Sequence, residues 1–145
     1  MKKIFLLLVF VCLGLIQEAN AQQANKIIGT WLTSEKDGKI EIYQQNGKYY
    51  GKLVWGQRIF EADGKTSKKD VKNPDAQLQK RDLQNLVLLT DFVFDDGKWE
   101  NGRIYDAESG KTYSCVMKFE GEKLKITGYI GVSWLGRTVI WTRLQ

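Results

Sequence analysis

From residue 28 onward the chain alternates between apolar and polar positions. Tyr113, Cys115, Met117 and Phe119 interleave with Thr112, Ser114, Val116 and Lys118, and Leu124, Ile126 and Ile130 with Lys123, Lys125 and Thr127. A period of two marks extended chain with one dry face and one wet face. Eight such runs, rich in Val, Ile, Thr and aromatics, recur at 28–34, 39–45, 48–55, 86–94, 98–105, 111–119, 123–131 and 137–144. Asn46-Gly47, Asp95-Asp96-Gly97 and Glu120-Gly121-Glu122 supply tight reversals between them, which makes successive strands antiparallel neighbours. The pattern predicts an all-β domain built as an eight-stranded antiparallel up-and-down barrel, with an open sandwich as its rival. A membrane barrel needs the opposite polarity, apolar outside and polar within.

In an up-and-down order these three tight turns gather at one end. The segments 34–38, 56–85, 106–110 and 132–136 gather at the other. About thirty residues between strands three and four is far more than a hairpin requires, and such length usually signals a lid or other functional segment. Within it, Asn73 as cap, Pro74 at the first helical position and Asp75 in the first turn predict one short helix running through Leu78 to Arg81 or Asp82. Lys65, Lys68, Lys69 and Lys72 mark a solvated front half.

The first residues follow a different logic. Lys2 and Lys3 precede an apolar run from Ile4 to Ile16, and Ala19-Asn20-Ala21 forms an A-x-A cleavage site, so residues 1–21 read as a signal peptide. The run is too short to span a bilayer comfortably. Val11 stands where a lipoprotein signal ending at Cys12 needs a small residue. The expectation is a periplasmic or secreted protein whose single domain, 22–145, is not membrane-spanning once the leader is gone. That domain carries 20 basic and 16 acidic side chains scattered without a basic block, which argues against nucleic acid as a partner. Cys115 is its one cysteine, so no internal disulfide forms. Histidine is absent from the chain, which removes the commonest metal ligand and general base, and no metal or cofactor is expected.

Two residues bracket the domain: Trp31, within Gly29-Thr30-Trp31, and Arg143 near the end of the last strand. The pair resembles the lipocalin-like (calycin) barrels, in which a Gly-x-Trp tryptophan is covered by a basic residue from the final strand. The resemblance implies a structural cation-π bracket joining first and last strands; the plain alternative makes Trp31 a core aromatic and Arg143 a solvated tail residue. Arg137 shares the parity of Arg143, and six residues at about 3.3 Å each put it roughly 20 Å higher, at the mouth. There it is a candidate to hold a carboxylate or phosphate, or simply to tie down loop carbonyls or pair with Asp106. Trp55, Tyr105, Asp106, Tyr113, Tyr129 and Trp134 fall near the same end, and aromatics with a few polar groups are what small-molecule pockets are made of. They also fill barrels that have no pocket. Ile40, Ile42, Tyr49, Leu53, Trp55, Phe92, Phe94, Met117, Phe119 and Trp141 are expected inside, crowding the lower half. Cys115 reads as an inert small hydrophobe.

Nearly the whole domain resembles DUF2147, a bacterial family of exported proteins of unknown function. The matching stretches are Gly29 to Trp31, Glu41 to Tyr43, Gly47 to Lys52, Asn73 to Asp75, Ile104 to Asp106, Ser109 to Cys115, Gly128 to Gly131 and Leu135 to Arg143. Ala107 departs from the family's proline at that turn. The resemblance implies a lipocalin-like barrel and carries no activity. The residues point first to a non-catalytic binding protein for a small amphipathic or anionic ligand held by Arg137 in the barrel mouth. Two other readings stay open: an envelope interaction module with a solid interior and a protein partner, and a histidine-free enzyme using Asp106 and a neighbouring tyrosine.

Overall fold

The computed structural model describes residues 17–131 and 136–145. Most of the expected signal peptide, and Trp134 in the last turn, lie outside the described residues. The strands are β1 (Gly29–Leu32), β2 (Gly38–Gln45), β3 (Lys48–Gly56), β4 (Leu86–Asp95), β5 (Lys98–Asp106), β6 (Lys111–Glu120), β7 (Lys123–Tyr129) and β8 (Arg137–Arg143). Each pairs antiparallel with its sequence neighbour, and β8 returns to β1, so the sheet is a closed barrel rather than a sandwich. Tight turns form where the sequence places them: Asn46 and Gly47 take φ of 50° and 76°, the left-handed pair of a two-residue hairpin.

Helical structure departs from expectation. Residues 17–25 are helical and precede the barrel, whereas the long connection holds one 3-10 turn, Leu78–Lys80, instead of a helix over 73–82. Asn73 does accept a bond from the Asp75 amide, as a cap would. Its own side-chain amide is drawn away to Asp70 and Tyr105, and Asp75 starts a second local turn by accepting from the Gln77 amide. Such side-chain bonds to nearby backbone compete with a growing helix.

The lower half is packed solid. Trp31, Tyr49, Phe92 and Trp99 are fully buried, and Trp99 meets Phe94, Phe119 and Tyr49 at centroid distances of 4.9, 5.6 and 6.4 Å in tilted or edge-on contacts. Gly102 makes room for this layer, since a Cβ there would sit 2.4 Å from the Phe92 ring. Residues 24–28 stopper the end beneath. The Ala24 carbonyl accepts from the Trp99 indole at 3.1 Å, the Asn25 side chain from the Tyr49 hydroxyl at 2.8 Å, and the Ile27 carbonyl from the Trp31 indole at 2.9 Å.

Arg143 locks this stopper to the barrel seam. It stands opposite Trp31 in the β1–β8 ladder, with its guanidinium carbon 4.3 Å from the indole centroid. Nη1 donates to the Ile28 carbonyl at 2.8 Å and Nη2 to that of Lys26. Gly29 takes φ of 138°, a conformation that L side chains rarely adopt, and a Cβ there would also meet Nη1 at 2.5 Å, so the position calls for glycine. Arg143→Ala removes a stacked cation and two charge-assisted bonds, and is expected to cost about 2 kcal/mol in urea unfolding followed by tryptophan fluorescence. An Arg143→Lys protein should recover only part, because an ammonium cannot span both carbonyls from above the ring.

Candidate functional site

Above the packed layer the described residues leave a space. A cavity of about 290 Å³ opens at the mouth, walled by Ile40, Leu53, Leu88, Ile104 and Trp141 and roofed by Ile59 and Leu83. That volume is at the lower edge of the roughly 300–1,000 Å³ usual for small-molecule sites. The roof belongs to the long connection, which is ordered as a folded-back flap: Phe60 bridges Ser67, Lys69 bridges Asp82, and the Lys68 and Leu83 amides bond the Ile59 and Lys68 carbonyls. Backbone pairing of the flap with itself pushes Ile59 and Leu83 inward.

A buried clasp holds the flap against the barrel wall. The Asp70 carboxylate, 1 % exposed, accepts from the Tyr105 hydroxyl at 2.6 Å, the Asn73 amide at 3.0 Å and the Arg81 Nε at 2.9 Å, with the Arg81 Nη2 also within 2.8 Å as an ion pair. Arg81 also lies 5.3 Å from the Tyr105 ring centroid. Burial, reinforced by the bond to Asp70, raises the Tyr105 pKa and keeps the phenol protonated. Among the described residues no buried side-chain polar atom lacks a partner, so the clasp offers no idle group for acid or base work.

An ionic strap crosses the mouth. The Arg58 Nη2 donates to Asp37 at 2.8 Å and lies 2.9 Å from Glu108, joining the β1–β2 turn, the flap and the β5–β6 turn. Asp37 is fixed independently: the Thr33 hydroxyl donates to it at 2.7 Å and accepts from the Asp37 and Gly38 amides. The Thr33 bond, then Arg58, hold the Asp37 carboxyl below its ordinary range against partial burial, while the bond to Asp37 raises the Arg58 pKa.

The expected site residues scatter. Tyr105 and Asp106 border the cavity, but the Tyr105 hydroxyl is committed to the clasp. The Asp106 carboxylate accepts from the Glu108 amide and the Ser109 hydroxyl of its own turn, and does not pair with Arg137 among the described residues. Trp55 points outward. A bulge sets Leu53 opposite Ile40 and Trp55 opposite Lys39, reversing the expected parity, and the Lys39 ammonium lies 5.2 Å from the Trp55 ring. Tyr129 faces out opposite Ser114. Tyr113 faces in opposite Ile104 without bordering the cavity. Arg137 has inward parity opposite Gly128 but is exposed at the rim and outside the cavity lining. Asp37, Arg58, Ile59 and Leu83 escaped the sequence reading; the isolated apolar pair Ile59-Phe60 inside a polar stretch was their one local signal.

Cys115 is buried, and burial pushes its thiol up to about 12, leaving it unreactive. Among the described residues no three metal-ligating side chains cluster, and no helix is long and apolar enough to cross a membrane. A larger recess, about 710 Å³, lies at the plugged end between the two ends of the described chain. Its floor is Trp99 and Phe119 of the packed layer, and Lys26, Lys123 and Arg143 stand at its edge.

Because the folded pKa of Asp37 lies below the ordinary value of 3.8, its bonds stabilise the protein above about pH 4 and are lost as pH falls through the folded value. Asp37→Asn should therefore cost about 1 kcal/mol at pH 7, and urea titrations across pH should show its deficit against wild type constant above about pH 5 and narrowing as pH falls from there through the folded value. A deficit that fades at higher pH would contradict the assignment.

The family described as "uncharacterized protein conserved in bacteria (DUF2147)" matches residues 29–143, and the chain belongs to it. Among solved structures, the chain is similar to protein HP1028 of Helicobacter pylori, described as belonging to the lipocalin family. Identity is 28 % over 82 % of this chain and 83 % of that one, with a TM-score of 0.72. Among curated proteins none matches.

Proposed function

We propose that this member of the DUF2147 family is a non-catalytic binding protein that takes a small, largely apolar ligand into the mouth of its barrel. The apolar chamber under Ile59 and Leu83 is the observation that carries the reading. Four of the titratable side chains at this end are already committed: Tyr105 and Asp70 to the clasp, Asp106 to its turn, Asp37 to Thr33 and Arg58. This favours holding a molecule over transforming one. The lipocalin-family neighbour is consistent with the same use of the fold.

Isothermal calorimetry with 1-octanol tests the chamber. Saturable one-to-one binding is expected, weakened at least tenfold by Leu88→Trp, which fills the cavity from its wall. Affinity unchanged by that substitution would contradict the reading.

The protein is further proposed to work outside the cytoplasm after losing residues 1–21. The stopper begins at Ala24, so a cut after Ala21 leaves every stopper contact in place. Intact-mass analysis of protein recovered from the periplasm or culture medium is expected to give a chain starting at Gln22; a full-length chain retained in the cytoplasm would contradict it.

A further inference from the structure

The chamber has a charged rim of unequal sign. Among the described residues Asp37, Asp106 and Glu108 border it with one cation, Arg58. Lys36, Lys111 and Arg137 belong to the same end of the barrel, yet none borders the chamber. The two carboxylates that Arg58 meets are held differently. Asp37 is anchored by Thr33 and receives an aligned N–H, and its side chain is 25 % exposed. Glu108 lies within 2.9 Å of the same nitrogen without an aligned hydrogen bond, and both it and Arg58 are about two-thirds exposed. The guanidinium is thus a solvated cation resting between two carboxylates at the entrance of an apolar chamber.

Resting on the reading of that chamber as a ligand site, we propose that its ligand is a cationic amphiphile, an aliphatic amine in chemical class. Its ammonium takes the place Arg58 now fills between Asp37 and Glu108, while its chain enters among Leu53, Leu88 and Ile104. Arg58 is then an internal competitor. It closes the mouth when the chamber is empty and swings into solvent when a ligand brings its own charge. An ammonium suits the position, because its three donors meet two carboxylates without the planar geometry a guanidinium demands. The exchange leaves the charge at the rim unchanged, and the two contacts given up, to Asp37 and Glu108, belong to a guanidinium about two-thirds exposed and are remade by the ammonium. An anion in the same place would face three lining carboxylates with one arginine to offset them. A cationic ligand is opposite in charge to the anionic one that Arg137 suggests in the sequence.

Calorimetry with octylamine, 1-octanol and octanoate at pH 7 separates the possibilities, since the three share a chain and differ in headgroup. The order octylamine, octanol, octanoate is expected. Arg58→Gln should raise the ratio of octylamine to octanol affinity about tenfold by removing the competitor, and Glu108→Gln should lower it several-fold. Glu108 makes no bond that the fold depends on, so its variant keeps the test sound even if Arg58→Gln loosens the flap. Octanoate binding more tightly than octanol, or a ratio unmoved by both substitutions, overturns the cationic assignment while leaving the chamber intact. Failure of all three probes, octanol included, overturns the chamber reading and this inference with it.

Discussion

Arg143 lies over the indole of Trp31 and at the same time binds the carbonyls of Lys26 and Ile28. One side chain thus joins three things that the chain would otherwise leave separate: the last strand, the first strand and the stopper before it. The β1–β8 seam is short, with two residue pairs in register, so backbone bonding alone closes it weakly. Closure in turn removes both sheet edges and sets the packed aromatic layer around Trp99. Everything at the mouth follows from having the other end shut.

The division of the interior follows from side-chain volume. Four large aromatics fill the lower half, and Gly102 gives up its own volume so that the Phe92 ring fits against the wall. Toward the mouth Leu53, Leu88 and Ile104 share the wall with Trp141, and together they leave a space that two flap residues roof without filling. The flap is held by chemistry suited to each side. A dry four-group clasp around Asp70 fixes it to the wall, and a wet strap at Arg58 crosses the opening. A buried, fully bonded network is costly to break, while an exposed ion pair exchanges partners readily. The opening is accordingly the weaker side of the lid.

Strands, turns and the Trp31–Arg143 bracket were legible because each depends on local spacing: a period of two, a turn dipeptide, or a motif in a fixed place. Trp55 was misplaced because one bulge residue reverses parity beyond it, and a bulge leaves little trace in a half-polar strand. The helix over 73–82 carried sound capping signals, but Asn73 was claimed by Asp70 and Tyr105, the latter a partner 32 residues away. The stopper was missed because residues 24–28 gain their meaning only from Trp99, Tyr49 and Arg143, all distant in sequence. Asp37, Arg58 and Glu108 likewise form a group only once the barrel brings three loops together. Contacts of that kind arise from closure and cannot be read from any window of the chain.

The proposed ligand site lies at the mouth, above a closed and solid base. Amide chemical shifts in a two-dimensional ¹⁵N–¹H spectrum, followed during titration with 1-octanol, distinguish it from any other place on the barrel. Changes are expected at Ile40, Leu53, Ile59, Leu88 and Ile104, with residues 24–31 unmoved. Changes concentrated instead at Phe94, Phe119, Lys123 and Gln145 would place the ligand in the recess at the plugged end and contradict it.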